Sequence, residues 1–301
     1  MLSAIKNTVW VEYICDAFSY PEKAKEQLLE CYKKITENND AFTLFCNTYA
    51  EYCNDYKTNF EKMSEQIKQV SIIAGVHEYT AYSLYLIYML NPLKQFYAEN
   101  GYSVEMWKGV ALDVKYKLLE GYDVHGIYGT FFMIWFDRFF DLTRFCFGRL
   151  QMETIPLDGD YTVDGVNLKK GDTVLSVHIP KTGERLDKES VENAYNQAKE
   201  FYKDVFKSEY TVFTCQTYLL HEVTLSFLKK DSNLYKFVSD YTIVYNRDYP
   251  DYTEMWRLYD CNVIGKDLAD LPSDTSLRKK YIEYMRTGKK IGYGHGIYIS
   301  R

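Results

Sequence analysis

Two residues able to carry a proton near neutral pH stand in segments of alternating polarity. His178 lies two residues after Ser176, in a β-branched run from Thr173 to Ile179 that Pro180 stops. Glu153 alternates with Gln151 and Arg149 in the run that follows Gly148. A strand period of two puts Ser176 with His178 on one face, and Arg149, Gln151 and Glu153 on one face, with Leu150 and Met152 opposite. An imidazole titrates near neutrality and a carboxylate raised by burial reaches the same range, so either can act as a general base. The Arg149, Gln151, Glu153 row reads equally as a structural polar network. A histidine at a strand end before proline is also commonly satisfied by backbone.

Tyr218 and His221 follow a run from Tyr210 to Tyr218 that reads as the next strand, where either can donate a proton. Thirty tyrosines in the chain make a tyrosine at any one position commonplace. Cys215, within that strand, is either a nucleophile with His178 or His221 as its base, or a buried thiol behaving as a small hydrophobe. His77, His125 and His295 show no ligand spacing with each other or with carboxylates, so no metal site is expected. Arg278, Lys279, Lys280, Arg286, Lys289 and Lys290, beside Gly292, Gly294 and Gly296, are the one basic cluster. It reads as an anion site or as a solvated helix face.

The elements that must hold these residues divide into two kinds. Phe45, Tyr49, Tyr52, Tyr56, Phe60, Met63, Ile67 and Val70 recur at spacings of three and four, which predicts a single apolar helix stripe. Asn91 and Pro92 are expected to end one helix. Ser103 is expected to cap another that Gly121 closes, and Gly126 to about Phe145 is expected to form a further buried helix. After Gly148 strands and turns dominate. Asp187 caps a helix with the stripe Val191, Ala194, Tyr195, Ala198, Phe201, Tyr202 and Val205. Strands are expected near Phe237 to Tyr245 and Thr253 to Asp260, then a helix from Asp274 or Thr275 to Arg286, and a last strand from Ile291 to Ser300. The expected fold class is α+β, with a helical N-terminal domain over residues 1–145 followed by a mixed α/β domain over 146–301.

The 301 residues suffice for two cores, and a 26% charged, 47% hydrophobic composition leaves little room for long disorder. A net charge of −6 argues against nucleic acid or an anionic membrane as partner. Seven cysteines, odd in number and without CxxC spacing, indicate neither a disulfide framework nor zinc, which suits a reducing cytoplasm. The opening MLSAIKNTVWVEY lacks the features of a secretory signal. The apolar runs Ala81 to Leu93 and Ile127 to Phe136 are too short to span a bilayer.

The blocks GRLQMET, DTVLSVHIPKTGERLDKESVENAYNQAKEFY, DSNLYKF and LPSDTSLRKKYIEYMRTGKKIGYGHG, in that order, resemble a family of bacterial acyltransferase-domain proteins. That family joins a helical N-acyltransferase N-terminal domain to a GNAT-like C-terminal domain, and the resemblance runs from about Glu105 to the end. It implies an N-acyltransferase that moves an acyl group from an acyl-CoA-type thioester to an amine of a small molecule or peptide. The alternative is a non-catalytic GNAT-like ligand-binding or interaction protein.

In GNAT enzymes acyl-CoA lies between two splayed parallel strands, and the loop after the first cradles its diphosphate. By position that loop is Pro180 to Leu186, with Lys181, Thr182, Gly183 and Arg185 as cofactor-binding residues. Bare N–H groups and the dipole at a helix start favour a phosphate, and glycine allows close approach. The loop carries one glycine and lacks the superfamily's Q/R-x-x-G-x-G/A pattern, so an ordinary basic strand-to-helix loop is the competing reading. Acyl transfer needs a base for the ammonium and an acid for the leaving thiolate. The base candidates are Glu153 and His178, the resemblance places the acid at Tyr218, and Arg149, Gln151 and Ser176 are the expected substrate-binding residues.

Overall fold

The computed structural model describes residues 3–57, 59–206 and 209–301, so Met1 and Leu2 of the opening segment lie outside the described residues. The chain divides into two compact units, Met1–Cys146 and Phe147–Arg301.

The first unit is helical: α1 (Val9–Ala17), α2 (Glu22–Glu37), α3 (Asn39–Asn54), α4 (Phe60–Ala74), α5 (Glu78–Glu99), α6 (Val104–His125) and the short α7 (Asp137–Phe140). The aromatic stripe expected on one helix is carried by two. The chain turns after Asn54, where the Asp55 carboxylate accepts from the Lys57 N–H, and Asn59 recaps α4 by accepting from the Lys62 N–H. The stripe survives the turn because α3 and α4 both pack on α5, with Phe45 edge-on to Tyr85 at 5.5 Å and the Tyr85 hydroxyl against Met63.

Three expected boundaries move. Helix α5 continues through Pro92, since nearly every residue from Thr80 to Leu93 is buried and packing outweighs one lost backbone bond. Helix α6 runs past Gly121 to a left-handed cap at Gly126. Gly121 serves close packing, because a Cβ there would lie 1.7 Å from the Gly129 carbonyl oxygen. The segment after Gly126 is a loop, a 3-10 turn at Met133–Phe136 and α7, and forms no long helix. Its polar backbone is satisfied by α5: the Thr130 N–H donates to Ser83 Oγ and to the Tyr79 carbonyl. No described helix is long and apolar enough to cross a membrane.

Strand β1 (Arg144–Phe147) spans the division of the chain. It is followed by β2 (Leu150–Pro156), the hairpin β3 (Tyr161–Val163) and β4 (Val166–Leu168), β5 (Thr173–His178), α8 (Lys188–Phe201), β6 (Thr211–Thr217), α9 (Glu222–Phe227), α10 (Asn233–Ser239), β7 (Thr242–Asp248), α11 (Trp256–Tyr259), α12 (Ser276–Met285) and β8 (Gly292–Ser300). The main sheet has the order β1-β2-β5-β6-β8-β7. Its one described parallel pair, β5 with β6, is joined by α8.

Helix α8 covers one face, with Tyr195 4.6 Å from Phe213 and 5.4 Å from Tyr298 between ring centroids. The hairpin covers the lower part of the other face, where Leu157, Val163 and Leu168 pack with Val174, Val212, Ile297 and Ile299. Asp187 and Thr275 cap α8 and α12 as the sequence predicts. Two expected strands differ. Phe237 lies on α10 and the strand begins only at Thr242, while Thr253–Tyr259 is a 3-10 turn and α11, ending on Asp260 in the left-handed region (φ 55°).

Candidate active site

Alternation along β2 and β5 places Gln151, Glu153, Ser176 and His178 on the sheet face away from α8. Antiparallel register sets Gln151 opposite His178 and Glu153 opposite Ser176. The diagonal neighbours Glu153 and His178 therefore meet: His178 Nε2 lies 2.7 Å from Glu153 Oε1. The Glu153 side chain is 6% exposed and that of His178 24%, so the carboxylate is sunk behind the imidazole. In the tautomer that donates Nε2–H to Glu153, the ring's Nδ1 is left as an acceptor. Gln151 is buried, and its Oε1 has no hydrogen-bond partner among the described residues.

Strands β5 and β6 pair through Leu175–Phe213 and Ser176–Thr214, and among the described residues the pairing ends there although both strands continue. The strands thus part at their C-terminal ends. His178 stands on one side of the opening, and Gln216 and Tyr218 on the other. Burial pushes the Tyr218 phenol up to about 12, with the Asp260 charge adding to it, so it remains protonated at neutral pH.

The loop after β5 is held from beneath. Arg149 Nη1 donates to the Pro180 carbonyl at 2.9 Å and Nε to that of Glu184 at 3.3 Å. Arg149, expected to bind substrate, thus clamps the loop. The amides of Thr182 and Glu184 are used internally, on the Pro180 carbonyl and on Thr182 Oγ1. Those of Gly183 and Arg185 have no partner among the described residues. Gly183 has φ 76°, exposed, with nothing within 4 Å of where a Cβ would stand. Lys181 Nζ pairs with Asp260 Oδ1 at 2.7 Å, and Arg278 binds Asp260 Oδ2 at 2.6 Å. Asp260 thereby joins the loop to the basic cluster. No spacing in the sequence pointed to it.

A second histidine–carboxylate pair lies farther along the same face. His295 Nε2 is hydrogen-bonded to Thr214 Oγ1, and its Nδ1 is 3.6 Å from Asp158 Oδ2. Asp158 also accepts from the hydroxyls of Tyr161 at 3.0 Å and Tyr245 at 3.2 Å. Burial lowers the His295 pKa, partly offset by Asp158. Cys215 is buried, which pushes its thiol up to about 12 and makes it a poor nucleophile. His221 is likewise buried, its Nε2 3.2 Å from Asp248 Oδ1. Among the described residues no group of three His, Cys, Asp or Glu is placed to hold a metal ion.

Comparison with known proteins agrees with this architecture. Residues 11–142 match the N-acyltransferase N-terminal domain, and residues 144–298 match the GNAT-like C-terminal domain. The chain belongs to this family of two-part GNAT-like acyltransferases. No curated protein matches the sequence. Among solved structures, an acyltransferase in complex with decanoyl-CoA and teicoplanin is 16% identical with a TM-score of 0.74, covering 96% of this chain and 87% of its own. A structure of an acyltransferase with decanoyl-CoA alone is 17% identical, and one of an acyltransferase mutant with octanoyl-CoA is 16% identical. Each has a TM-score of 0.73 over the same shares of the chains. The likeness to these structures is one of fold.

Proposed function

We propose that the protein transfers an acyl group from acyl-CoA to the amine of a small molecule or peptide. The observation that carries this reading is the Glu153–His178 pair at the parting of β5 and β6. His178 takes the proton of the acceptor's ammonium, with Glu153 stabilising the imidazolium. The amine nitrogen attacks the thioester carbonyl, the carbon–sulfur bond breaks, the thiolate leaves with the proton of Tyr218, and the second proton that the nitrogen sheds on becoming an amide restores the phenol. The diphosphate of the coenzyme lies on the loop, against the amides of Gly183 and Arg185 and the side chains of Lys181 and Arg185. Acyltransferases of similar fold were solved in complex with decanoyl-CoA, one of them together with teicoplanin. Seven free cysteines support residence in a reducing cytoplasm.

One observation favours a non-catalytic ligand-binding role: two of the loop's amides are already paired within it. Release of free thiol from decanoyl-CoA or acetyl-CoA, followed against a panel of amines, separates the two readings. Turnover that vanishes in H178A while CoA still binds supports the transferase. Tight CoA binding with no thiol release from any donor and amine supports the binding protein.

A further inference from the structure

The sheet face that carries Glu153 and His178 holds a second polar group, which the acyl transfer does not use. Asp158, in the loop between β2 and β3, has an exposed carboxylate with a phenol on each oxygen: Oδ1 accepts from Tyr161 at 3.0 Å and Oδ2 from Tyr245 at 3.2 Å. Gln216 Nε2 donates to the Tyr245 oxygen at 3.1 Å, which leaves the phenol's one hydrogen for Asp158. Behind the carboxylate lies the buried His295, whose Nδ1 is 3.6 Å from Oδ2 and has no hydrogen-bond partner among the described residues. Thr214 Oγ1 donates to the Gly296 carbonyl at 3.2 Å; in the matching tautomer of His295, Nε2–H donates to Thr214 and Nδ1 is an acceptor. Two acceptors then face each other, and the exposed one, Asp158, lacks a cationic donor.

Tyr245 also neighbours Arg247, whose exposed guanidinium is 5.8 Å from the ring centre and makes no hydrogen bond or ion pair among the described residues. Tyr293, the register partner of Arg247, extends the aromatic surface, its ring 6.4 Å from that of Tyr245. An open carboxylate and an uncommitted guanidinium that share one tyrosine as neighbour suit an ammonium and a carboxylate on one small molecule. That combination is the head group of an amino acid. Two residues beyond the Ser176–Thr214 pair, His178 is level with Gln216, and Gln216, His295 and Tyr245 are register partners across β6, β8 and β7. Neighbouring strands lie about 4.8 Å apart, so His178 stands two strand steps, or about 10 Å, from the His295 that backs Asp158. We infer that Asp158 and Arg247 receive the α-ammonium and carboxylate of a basic amino acid, lysine or ornithine, whose side-chain amine reaches His178 and is the group acylated. Such a side chain bridges the gap once a hydrogen bond of about 2.9 Å is added at each end. The acylation rests on the transferase reading; the binding of the head group does not.

The test is calorimetric titration of the full chain with lysine, ornithine, cadaverine and Nα-acetyl-lysine, on the wild type, D158N and R247A, beside thiol release from decanoyl-CoA with the same amines. The wild type is expected to bind lysine or ornithine about tenfold more tightly than cadaverine, which lacks the carboxylate, and than Nα-acetyl-lysine, which lacks the α-charge. R247A is expected to lose the preference over cadaverine, and D158N the preference over Nα-acetyl-lysine. Arg247 is exposed, so R247A is expected to fold with an unchanged melting temperature and decides the matter should D158N not fold. Failure of the wild type to bind lysine and ornithine, equal binding of all four ligands, or a preference over cadaverine that persists in R247A overturns the head-group assignment; thiol release with another amine then leaves the transferase standing. Lysine bound with the expected preferences but released thiol from no donor overturns the acylation and leaves the head-group site.

Discussion

The sheet carries two histidine–carboxylate pairs on one face, and they are built inside out relative to each other. In Glu153–His178 the carboxylate side chain is 6% exposed and the imidazole 24%; in Asp158–His295 the carboxylate is 45% exposed and the imidazole 3%. A buried carboxylate behind an open imidazole stabilises the protonated ring while leaving it reachable, which is the arrangement a base requires. A buried imidazole behind an open carboxylate is the reverse. Desolvation lowers the His295 pKa, and its Nε2 and Nδ1 are turned to Thr214 and Asp158. Residue type thus does not distinguish the two pairs; the side on which the water lies does.

The largest effect expected to follow from this contrast is at His178. H178A should lower thiol release by on the order of a thousandfold with little change in melting temperature or CoA affinity. E153Q keeps the shape and removes the charge behind the ring, so a loss of on the order of a hundredfold in kcat is expected, with the pH–rate profile displaced. If E153Q retains wild-type turnover, the inversion has no catalytic meaning.

R149A tests the clamp beneath the loop. Two carbonyls lose their donor, so CoA binding should weaken by about tenfold and stability fall by about 1–3 kcal/mol, read by calorimetry and urea melts.

H295Q should have the smallest effect on turnover, within about threefold, and lower the melting temperature by about 2–4 °C for the loss of roughly 1 kcal/mol. It should also flatten the dependence of stability on pH. The folded pKa of His295 lies below its unfolded value, so the unfolded chain binds the proton more readily. The wild type should therefore lose stability as pH falls through the unfolded histidine range, and H295Q should lose less. Loss of turnover in H295Q as severe as in H178A, with the fold intact, would collapse the distinction between the pairs.

Much of the site was legible because strand alternation is a local property. Period two put Glu153 in line with Gln151, and His178 in line with Ser176, without reference to any other segment. Proline after Ile179 and the Asp187 cap marked the loop between β5 and α8. The Arg149 clamp, the Asp260 bridge from Lys181 to Arg278, and the Thr214–His295 bond were not legible. Each joins residues distant in sequence, and none of their residue types is uncommon in an unrelated loop or strand. The helices show the same division. The caps Ser103, Asp187 and Thr275 were readable, whereas Pro92 and Gly121 were misleading as stop signals because burial and close backbone contact outweighed their local preference.

What the sequence determined by itself was a change from helical to strand period within a few residues of Gly148, the α+β class, and the faces on which the polar residues of β2 and β5 lie. These follow from backbone geometry repeated every few residues. Which polar residues meet, which of two histidines is the more exposed, and where the parallel strands part were decided only by the tertiary structure. Register between strands and the burial of each group depend on packing across the whole sheet, and no short window of sequence contains that information.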